Sequence, residues 1–146
     1  MKFIADVMLG RLAKRMRIMG FDVLYDRMLS DNEIIRLSLE QDRLILTRDT
    51  SLAERPLAAR HLFITSDHVR DQIEQVLASV PPDMNVHPFT RCTECNELLS
   101  SMKKEDARDR VPPYVYETNI TFLECSKCGR IYWPGTHVKR MKSWAK

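Results

Sequence analysis

The chain has 146 residues, of which 29% are charged and 44% hydrophobic, and its formal net charge is +3. This composition is that of an ordinary globular protein and argues against disorder. The sequence contains no run of about eighteen apolar residues, so we expect no transmembrane helix. Because Met1 leads almost directly into a strand-like segment, we expect no signal peptide and a cytoplasmic location.

The first half of the chain alternates short apolar segments with helical patterns. We expect strands at residues 2–5, 21–25, 44–46 and 61–65. Apolar residues at helical spacing from Leu9 to Met19 predict a first helix that ends near Gly20. A capping box at Ser30–Glu33 begins a helix to about Gln41, and Ser66–Asp67 is expected to cap the helix after the fourth strand. This order predicts an α/β fold with a parallel sheet, right-handed crossovers and flanking helices.

Three aspartates lie at the carboxyl edge of the predicted parallel sheet, where α/β folds have their ligand and active sites. Asp6 follows the first strand, Asp49 follows the third strand, and Asp31 opens the helix that leads into the third strand. Ligands of parallel sheets bind at the carboxyl ends of the strands, and carboxylate oxygens suit Mg²⁺ or Mn²⁺. The alternative interpretation is that each acid caps a helix or forms a turn, which is sufficient for Glu33 and Asp67.

All four cysteines lie in the second part of the chain, as two CxxC pairs. These are Cys92 with Cys95 and Cys125 with Cys128. Without a secretion signal, such pairs indicate a metal rather than disulfides, and two of them supply the four thiolates of a closed, structural Zn²⁺ site. A redox CxxC motif predicts instead a single pair beside a βαβ unit.

The charge distribution also divides the chain. Residues 1–90 have net charge −1 and residues 91–146 have net charge +4. We therefore expect an α/β domain over residues 1–80, a linker over 81–90, and a small zinc ribbon with a C-terminal basic helix over 91–146. Within the ribbon, residues 114–116 and 120–123 are predicted strands, separated from the first cysteine pair by a polar insertion at 103–110.

Several segments carry a resemblance to a known family. The helix opening at Asp31 followed by L-x-L-T-R-D at Asp49 resembles the second half of a PIN-type nuclease domain, and Asp6 matches the first acid of that family. More narrowly, D-V-M-L-G-R-L-A-K-R-M-R-I-M-G-F-D and the cysteine-containing half with its Y-W-P-G-T-H-V-K-R-M resemble the Mut7-C RNase family, a PIN-like domain followed by a zinc ribbon. The resemblance covers essentially the whole chain. A further acid, present in most PIN domains, has no clear counterpart here, which bears on the number of catalytic metals.

The resemblance implies metal-dependent hydrolysis of RNA phosphodiester bonds. Asp6, Asp31 and Asp49 would hold one or two Mg²⁺ or Mn²⁺ ions, which polarise the phosphate, generate hydroxide and stabilise the leaving oxygen. The alternative function is a non-catalytic, RNA-binding zinc-ribbon adaptor whose acids only cap helices. Binding of Mn²⁺ to the acids would distinguish the two.

Basic and aromatic residues are the candidates for RNA binding. They are Arg11, Lys14, Arg15, Arg17, Tyr132, Trp133, His137, Lys139, Arg140 and Lys142. Cations contact phosphates and aromatic rings stack on bases. The alternatives are that the basic residues of the first helix form a solvated face, that the aromatic pair builds the small ribbon core, and that His137 only packs at a helix start.

Overall fold

The computed structural model describes residues 1–81 and 86–134. Within them the strands are β1 (Lys2–Ala5), β2 (Asp22–Leu24), β3 (Arg43–Thr47), β4 (His61–Phe63), β5 (Ser100–Met102), β6 (Phe122–Glu124) and β7 (Ile131–Tyr132). The α-helices are α1 (Gly10–Ile18), α2 (Asp31–Gln41), α3 (Thr50–Ala53), α4 (Val69–Ser79) and α5 (Pro113–Thr118). No described helix combines the length and the apolar composition that crossing a membrane requires.

The first four strands form the predicted parallel sheet, in the order β2-β1-β3-β4. Phe3 at the centre of β1 pairs with Val23 on one side and with Leu44 on the other. The chain moves outward from β1 to β2 and then returns past β1 to β3. The strand order therefore reverses between β1 and β3, and a crevice at the carboxyl ends of such strands is where α/β sheets bind ligands.

Helices cover both faces of this sheet. On one face, Leu12 and Met16 of α1 share an apolar cluster with Val76 of α4. On the other face, Ile34 of α2 and Leu52 of α3 belong to a second cluster. Each fully buried aliphatic side chain of this kind stabilises the fold by about 1.5–3 kcal/mol relative to an exposed one. The apolar periodicity of the first half thus predicts the correct layers.

The helix ends follow their sequence signals with one exception. The capping box is present, because Ser30 Oγ accepts from the Glu33 N–H while the Glu33 carboxylate accepts from the Ser30 N–H. Gly20 has φ of 102°, and a Cβ there would overlap the carbonyl of His87, so glycine is required. The predicted cap at Ser66–Asp67 is wrong. The N-cap of α4 is His68, without a side-chain cap, and Ser66 Oγ accepts from the His68 N–H instead.

The second sheet is antiparallel, in the order β5-β6-β7, and packs its own small apolar cluster. The strand predicted at residues 114–116 is wrong, because these residues belong to α5. Pro113 at the first helical position favours a helix start, and Val115 is buried against Phe122 while Tyr114 is 70% exposed. The polar insertion also contributes to this cluster, because Ala107 of its 3₁₀ turn Lys104–Ala107 is fully buried.

Candidate active site and metal centre

Asp6 follows β1, and its side chain is only 3% exposed. Its Oδ1 accepts a hydrogen bond of 2.9 Å from the Met8 N–H and so caps the 3₁₀ turn Val7–Leu9. Its Oδ2 accepts from the Thr47 hydroxyl and, at 3.2 Å, from the Arg48 N–H. A buried carboxylate is stable only when hydrogen bonds replace its hydration. Groups at the end of β3 therefore hold Asp6 in one orientation.

Thr47 links Asp6 to Asp49. Its fully buried hydroxyl donates to Asp6 and accepts from the Asp49 N–H at 2.9 Å. The Asp49 Oδ1 accepts from the Ser51 hydroxyl at 2.6 Å and the Ser51 N–H at 2.9 Å, which caps α3. The Ser51 hydroxyl lowers the pKa of Asp49 below its ordinary value; slight burial opposes this, and backbone N–H groups reinforce it. Asp49 is therefore an ionised carboxylate at neutral pH, beside Asp6 at the reversal of strand order.

Asp31 is the first residue of α2 and is half-buried. Ser30 and Glu33 already cap this helix, so the Asp31 carboxylate is not needed as a cap. It has no hydrogen-bond or ion-pair partner among the residues that the structure describes. Because α2 follows β2 and leads back to the start of β3, its first turn lies at the carboxyl edge of the sheet, as do Asp6 and Asp49.

The structure joins only two of these three acids through hydrogen bonds. Within residues 1–81 and 86–134, the four cysteines are the only group of three or more potential metal-binding side chains whose ligand atoms cluster closely. The three aspartates share one edge of the sheet without forming such a group.

The four cysteine sulfur atoms lie within 4.8 Å of one another. Two matching turns bring them together. In the first turn the Cys92 N–H donates to the Glu97 carbonyl and its carbonyl accepts from the Asn96 N–H; in the second, Cys125 makes the same pair of bonds with residues 130 and 129. Asn96 (φ 65°) and Gly129 (φ 77°) occupy the same left-handed position of each turn. The fold therefore builds two equivalent knuckles, as four-thiolate metal sites require.

The pKa values of the thiols show why this cluster suits a cation. Burial raises the pKa of Cys92, but hydrogen bonds from the Tyr132 hydroxyl and nearby N–H groups outweigh it and bring the value to about 7. Burial, together with the adjacent Cys128 and Cys125, raises the pKa of Cys95 to about 12. Neighbouring thiols cannot all ionise unless a positive charge compensates them. A Zn²⁺ ion held by Cys92, Cys95, Cys125 and Cys128 would supply that charge and displace the remaining protons.

A model of the Mut7-C RNAse domain family matches residues 1–145, almost the entire chain. The chain belongs to the Mut7-C RNAse domain family. Comparison with curated proteins and with solved structures finds no significant match. Membership indicates a ribonuclease-type function with RNA as the substrate, and the cysteine cluster adds a metal site of zinc-ribbon type.

In this Mut7-C domain the first knuckle is attached to the edge of the parallel sheet. Asn96 Oδ1 accepts from the Val23 N–H at 3.0 Å, and Asn96 Nδ2 donates to the Asp22 carboxylate at 2.7 Å. Arg17 Nε donates to the Val23 carbonyl at 2.9 Å, and its Nη1 donates to the Thr93 carbonyl at 2.8 Å. These bonds satisfy backbone groups of the edge strand β2, on the side where the sheet has no further strand.

Arg17 is therefore not available to contact RNA, and its prediction as part of an exposed basic face is wrong. It is 3% exposed, since α1 turns this residue toward β2 and the knuckle. Arg11 and Lys14 are exposed, Lys14 at 3.2 Å from the Glu94 carboxylate, and Arg15 is partly buried.

The other candidates for RNA binding fall into two groups. The Tyr132 hydroxyl contacts Cys92 Sγ at 3.1 Å and accepts from the Thr93 N–H at 3.1 Å, so this residue supports the cysteine cluster. Trp133 packs on the ribbon cluster. His137, Lys139, Arg140 and Lys142 lie outside the described residues.

Sequence reasoning missed the residues that connect these sites. Thr47 stands in the T-R-D motif, but its bonds to both acids are visible only in the fold. Asn96 has a signal in the sequence: the first knuckle has C-x-x-C-N where the second has C-x-x-C-G, and asparagine is one of the few non-glycine residues that adopt the left-handed conformation. Arg43 is 8% exposed and donates to the Asp22 carboxylate at 2.8 Å. Nothing in the local sequence distinguishes it from any charged residue at the start of a strand.

Proposed function

We propose that this chain hydrolyses RNA phosphodiester bonds with Mg²⁺ or Mn²⁺ held by Asp6, Asp31 and Asp49, in a PIN-like arrangement. The observation that carries the proposal is the Thr47 hydroxyl, which joins the Asp6 carboxylate to the Asp49 backbone at the reversal of strand order. Positioning of one acid by a buried group on the neighbouring strand is typical of a site that must hold ligands rigidly. A helix cap needs no such link between two strands.

The donor atoms fit a hard divalent cation. A carboxylate offers about four lone-pair positions, and the Asp6 carboxylate accepts three hydrogen bonds. Both Ser51 bonds to Asp49 go to its Oδ1, and the described residues leave both Asp31 oxygens without a hydrogen bond. Oxygen donors of this kind suit Mg²⁺ and Mn²⁺, whereas thiolates suit Zn²⁺.

A divalent metal held by Asp6, Asp31 and Asp49 would supply charge stabilisation at the phosphate and an activated water. The residues of the chain orient the metal-binding carboxylates and attract the RNA. Thr47 and the Arg48 N–H keep the Asp6 carboxylate oriented, and the cations Arg11 and Lys14, on the helix that begins just after Asp6, offset the repulsion between acids and phosphates. With zinc held by its four cysteines, the ribbon would keep β2 in place, and it contributes the basic second half of the chain to RNA binding.

A second candidate function has its own support. Asp6 and Asp49 both accept backbone N–H groups at helix starts, which is the behaviour expected of helix caps in a non-catalytic RNA-binding adaptor. The two candidates differ in whether loss of the Asp49 charge abolishes a reaction or only weakens a helix.

The deciding experiment incubates wild-type protein and Asp49→Asn with mixed cellular RNA, with and without Mn²⁺. We expect Mn²⁺-dependent cleavage that falls by about 100-fold or more in Asp49→Asn, because a few kcal/mol of lost charge stabilisation changes a rate by orders of magnitude. Asp42→Asn is the matched control: Asp42 lies before β3, at the opposite edge, and has a left-handed conformation that asparagine tolerates. Equal cleavage by all three proteins, or none by wild type, would favour the adaptor.

A further inference from the structure

A cleft of about 310 Å³ opens beside Asp6, between the starts of α1 and α4. Met8 connects it to the acids, because Met8 lines the cleft and its N–H donates to Asp6 Oδ1 at 2.9 Å. Both helices begin after a strand of the parallel sheet, so the cleft lies at the same carboxyl edge as the three aspartates. A group bound in the cleft would therefore lie next to a phosphate held at Asp6.

The exposed lining of this cleft is mainly polar. Leu9 and Leu12 are 2% and 0% exposed, so their side chains belong to the core and offer little surface to a ligand. Arg11, Asp67 and Gln72 supply the polar side chains of the wall. The occupant of such a cleft must bring hydrogen-bonding groups, because polar groups that lose water need partners in return.

Gln72 presents an unused acceptor in this wall. The residue is 6% exposed, and its Nε2 donates to the Ser66 carbonyl at 2.8 Å, which fixes the side-chain amide. Its Oε1 accepts no hydrogen bond from the residues that the structure describes. The same oxygen is not among their enclosed unpaired polar atoms, so solvent reaches it. Because Gln72 lines the cleft, this oxygen is available there to a ligand.

Asp67 supplies a second acceptor beside Gln72. Its side chain is 78% exposed, and His68 Nε2 lies 3.5 Å from its Oδ1. An ionised carboxylate accepts hydrogen bonds and donates none. Two acceptors favour a hydroxyl group, which donates, and disfavour a phosphate, which brings further acceptors and a negative charge. The exposed Arg11, on the α1 side, can contact a phosphate that follows such a hydroxyl along the chain.

We infer that this cleft binds the ribose next to the phosphate at Asp6, with its 2′-hydroxyl donating to Gln72 Oε1 and the Asp67 carboxylate, and so distinguishes RNA from DNA. The inference rests on the proposed function for the placement of that phosphate. The 2′-hydroxyl is the group by which a protein tells RNA from DNA at a given site. Carboxylates bind ribose hydroxyls in other α/β folds. A deoxyribose in the cleft would leave both acceptors without this donor.

The test compares cytidine 3′,5′-bisphosphate with its 2′-deoxy analogue by NMR titration of the wild-type protein, without divalent metal. The two compounds carry the same phosphates, so repulsion by the acids affects both affinities equally and cancels in their ratio. We expect the ribonucleotide to shift backbone signals at the starts of α1 and α4 and to bind about tenfold more tightly, the effect of one hydrogen bond to a charged acceptor. Equal affinities, or shifts only elsewhere in the chain, overturn the inference.

Two variants assign the preference to the cleft. Gln72→Met keeps the volume and removes one acceptor, and Asp67→Ala removes the other; each should reduce the preference to about threefold or less. Because Gln72 also bonds Ser66, the exposed Asp67 position decides the test if Gln72→Met lowers stability. Glu74→Ala is the matched control, an acid at an exposed position of α4, and should keep the tenfold preference. An unchanged preference in both cleft variants also overturns the inference.

A polymer arm separates the ribose of RNA from that of a free nucleotide. In an Asp49→Asn background without divalent metal, single-stranded RNA should bind more tightly than DNA of the same sequence, and adding Asp67→Ala should reduce this difference. If Asp67→Ala removes the preference for the ribonucleotide but leaves that for RNA unchanged, the cleft binds free nucleotides and the inference is wrong.

The outcome is separable from that of the proposed function. Binding is measured without metal or cleavage, so a ribose site can be present in a protein that fails the Asp49→Asn cleavage experiment. Conversely, metal-dependent cleavage with equal binding of the two nucleotides would retain the ribonuclease and remove the ribose site.

Discussion

Asn96 of the first cysteine knuckle completes the hydrogen bonding of Val23 on the edge strand of the parallel sheet. Its Oδ1 lies 3.0 Å from the Val23 nitrogen, and its Nδ2 lies 2.7 Å from the Asp22 carboxylate. The side chain that shapes a metal-binding turn thus also substitutes for a missing neighbouring strand. The two parts of the chain are joined through backbone groups that would otherwise be unpaired.

Asn96→Gly tests this join while preserving the knuckle. Glycine tolerates φ of 65° and already occupies the equivalent position at Gly129. We expect zinc content to stay unchanged and the free energy of unfolding to fall by about 1–3 kcal/mol, since the Val23 N–H loses its partner. Denaturant unfolding with metal analysis measures both. Gly129→Asn is the control; a Cβ there comes no closer than 3.9 Å to its neighbours, and we expect a smaller effect. A larger loss in Gly129→Asn would contradict the assignment.

We expect zinc removal to destabilise β2 of the parallel sheet as well as the ribbon. We expect one Zn²⁺ per chain, bound by Cys92, Cys95, Cys125 and Cys128, and a structural site of this kind contributes about 10 kcal/mol or more to folding. Chelation or Cys125→Ser should therefore unfold the ribbon and release Asn96 from β2. Hydrogen exchange followed by mass spectrometry should show faster exchange in β2 and little change in the central β3. Purified protein without zinc, or unchanged exchange in β2 after chelation, would contradict this prediction.

Thr47 should be a positioning residue for Asp6 and Asp49. Thr47→Val keeps the shape of the buried side chain but removes the hydroxyl that joins the two acids. We expect Mn²⁺-dependent cleavage to fall by about tenfold to 100-fold, the usual effect of losing a group that orients a metal ligand. Mn²⁺ affinity, measured by calorimetry, should fall in parallel, and Thr47→Ser should restore both. If Thr47→Val and Thr47→Ser lose activity equally, loss of the hydroxyl does not explain the loss of activity.

We expect the stability of the fold to depend on pH through the Asp22 carboxylate. Burial raises its pKa, but hydrogen bonds from Arg43 and Asn96 outweigh burial and hold the pKa below its ordinary value of 3.8. A lowered pKa stabilises the folded state above the unfolded value, and this contribution is lost as pH falls through the folded value. Asp22→Asn should therefore be less stable than wild type at pH 7, and the difference should shrink as pH falls below the ordinary Asp value and through the lowered folded-state pKa.

The comparison of Asp22→Asn with wild type needs one precaution. Acid also releases zinc from thiolates and would thereby free Asn96, so zinc content is measured in parallel and the two proteins are compared at pH values where it is equal; the 2.8 Å bond from Arg43 does not involve the knuckle. A stability difference that stays constant from pH 7 to low pH would show that the charge of Asp22 plays no part.

The basic residues should differ in how they affect RNA binding. In an Asp49→Asn background, which prevents cleavage, Arg11→Gln combined with Lys14→Gln should flatten the log–log salt dependence of affinity by about 1.4, at about 0.7 per phosphate contact. Arg17→Gln should instead lower stability, because Arg17 is bonded to the Val23 and Thr93 carbonyls. A flattened slope in Arg17→Gln with unchanged stability would contradict the structural role.

The same titration tests the C-terminal basic residues, which lie outside the described residues. Replacement of Lys139, Arg140 and Lys142 together by glutamine should flatten the slope by about one to two units. Identical slopes would indicate that this segment does not face the RNA.

Local patterns predicted most of the first half of the fold. The uninterrupted apolar run at residues 44–46 lies in a central strand, and the Ser30–Glu33 capping box starts α2, because both signals depend on neighbours within one or two turns. The two CxxC motifs predicted the cysteine cluster because each short spacing places two thiols on one turn and four thiols complete a metal site. The strand predicted at residues 114–116 failed because the β-propensity of Tyr-Val-Tyr was outweighed by Pro113 and by the burial of Val115 in the ribbon cluster.

The sequence by itself determined the parallel-sheet half, the family and the four thiols that cluster, since these depend on residue type and short spacing. Tertiary structure alone decided which polar side chains are structural. Arg17 has the same helical pattern as its exposed basic neighbours, and only the packing of the knuckle on β2 buries it. Asn96 and Val23, like Thr47 and Asp6, are far apart in the chain and meet because unpaired backbone groups and a buried carboxylate must find hydrogen bonds once water is excluded.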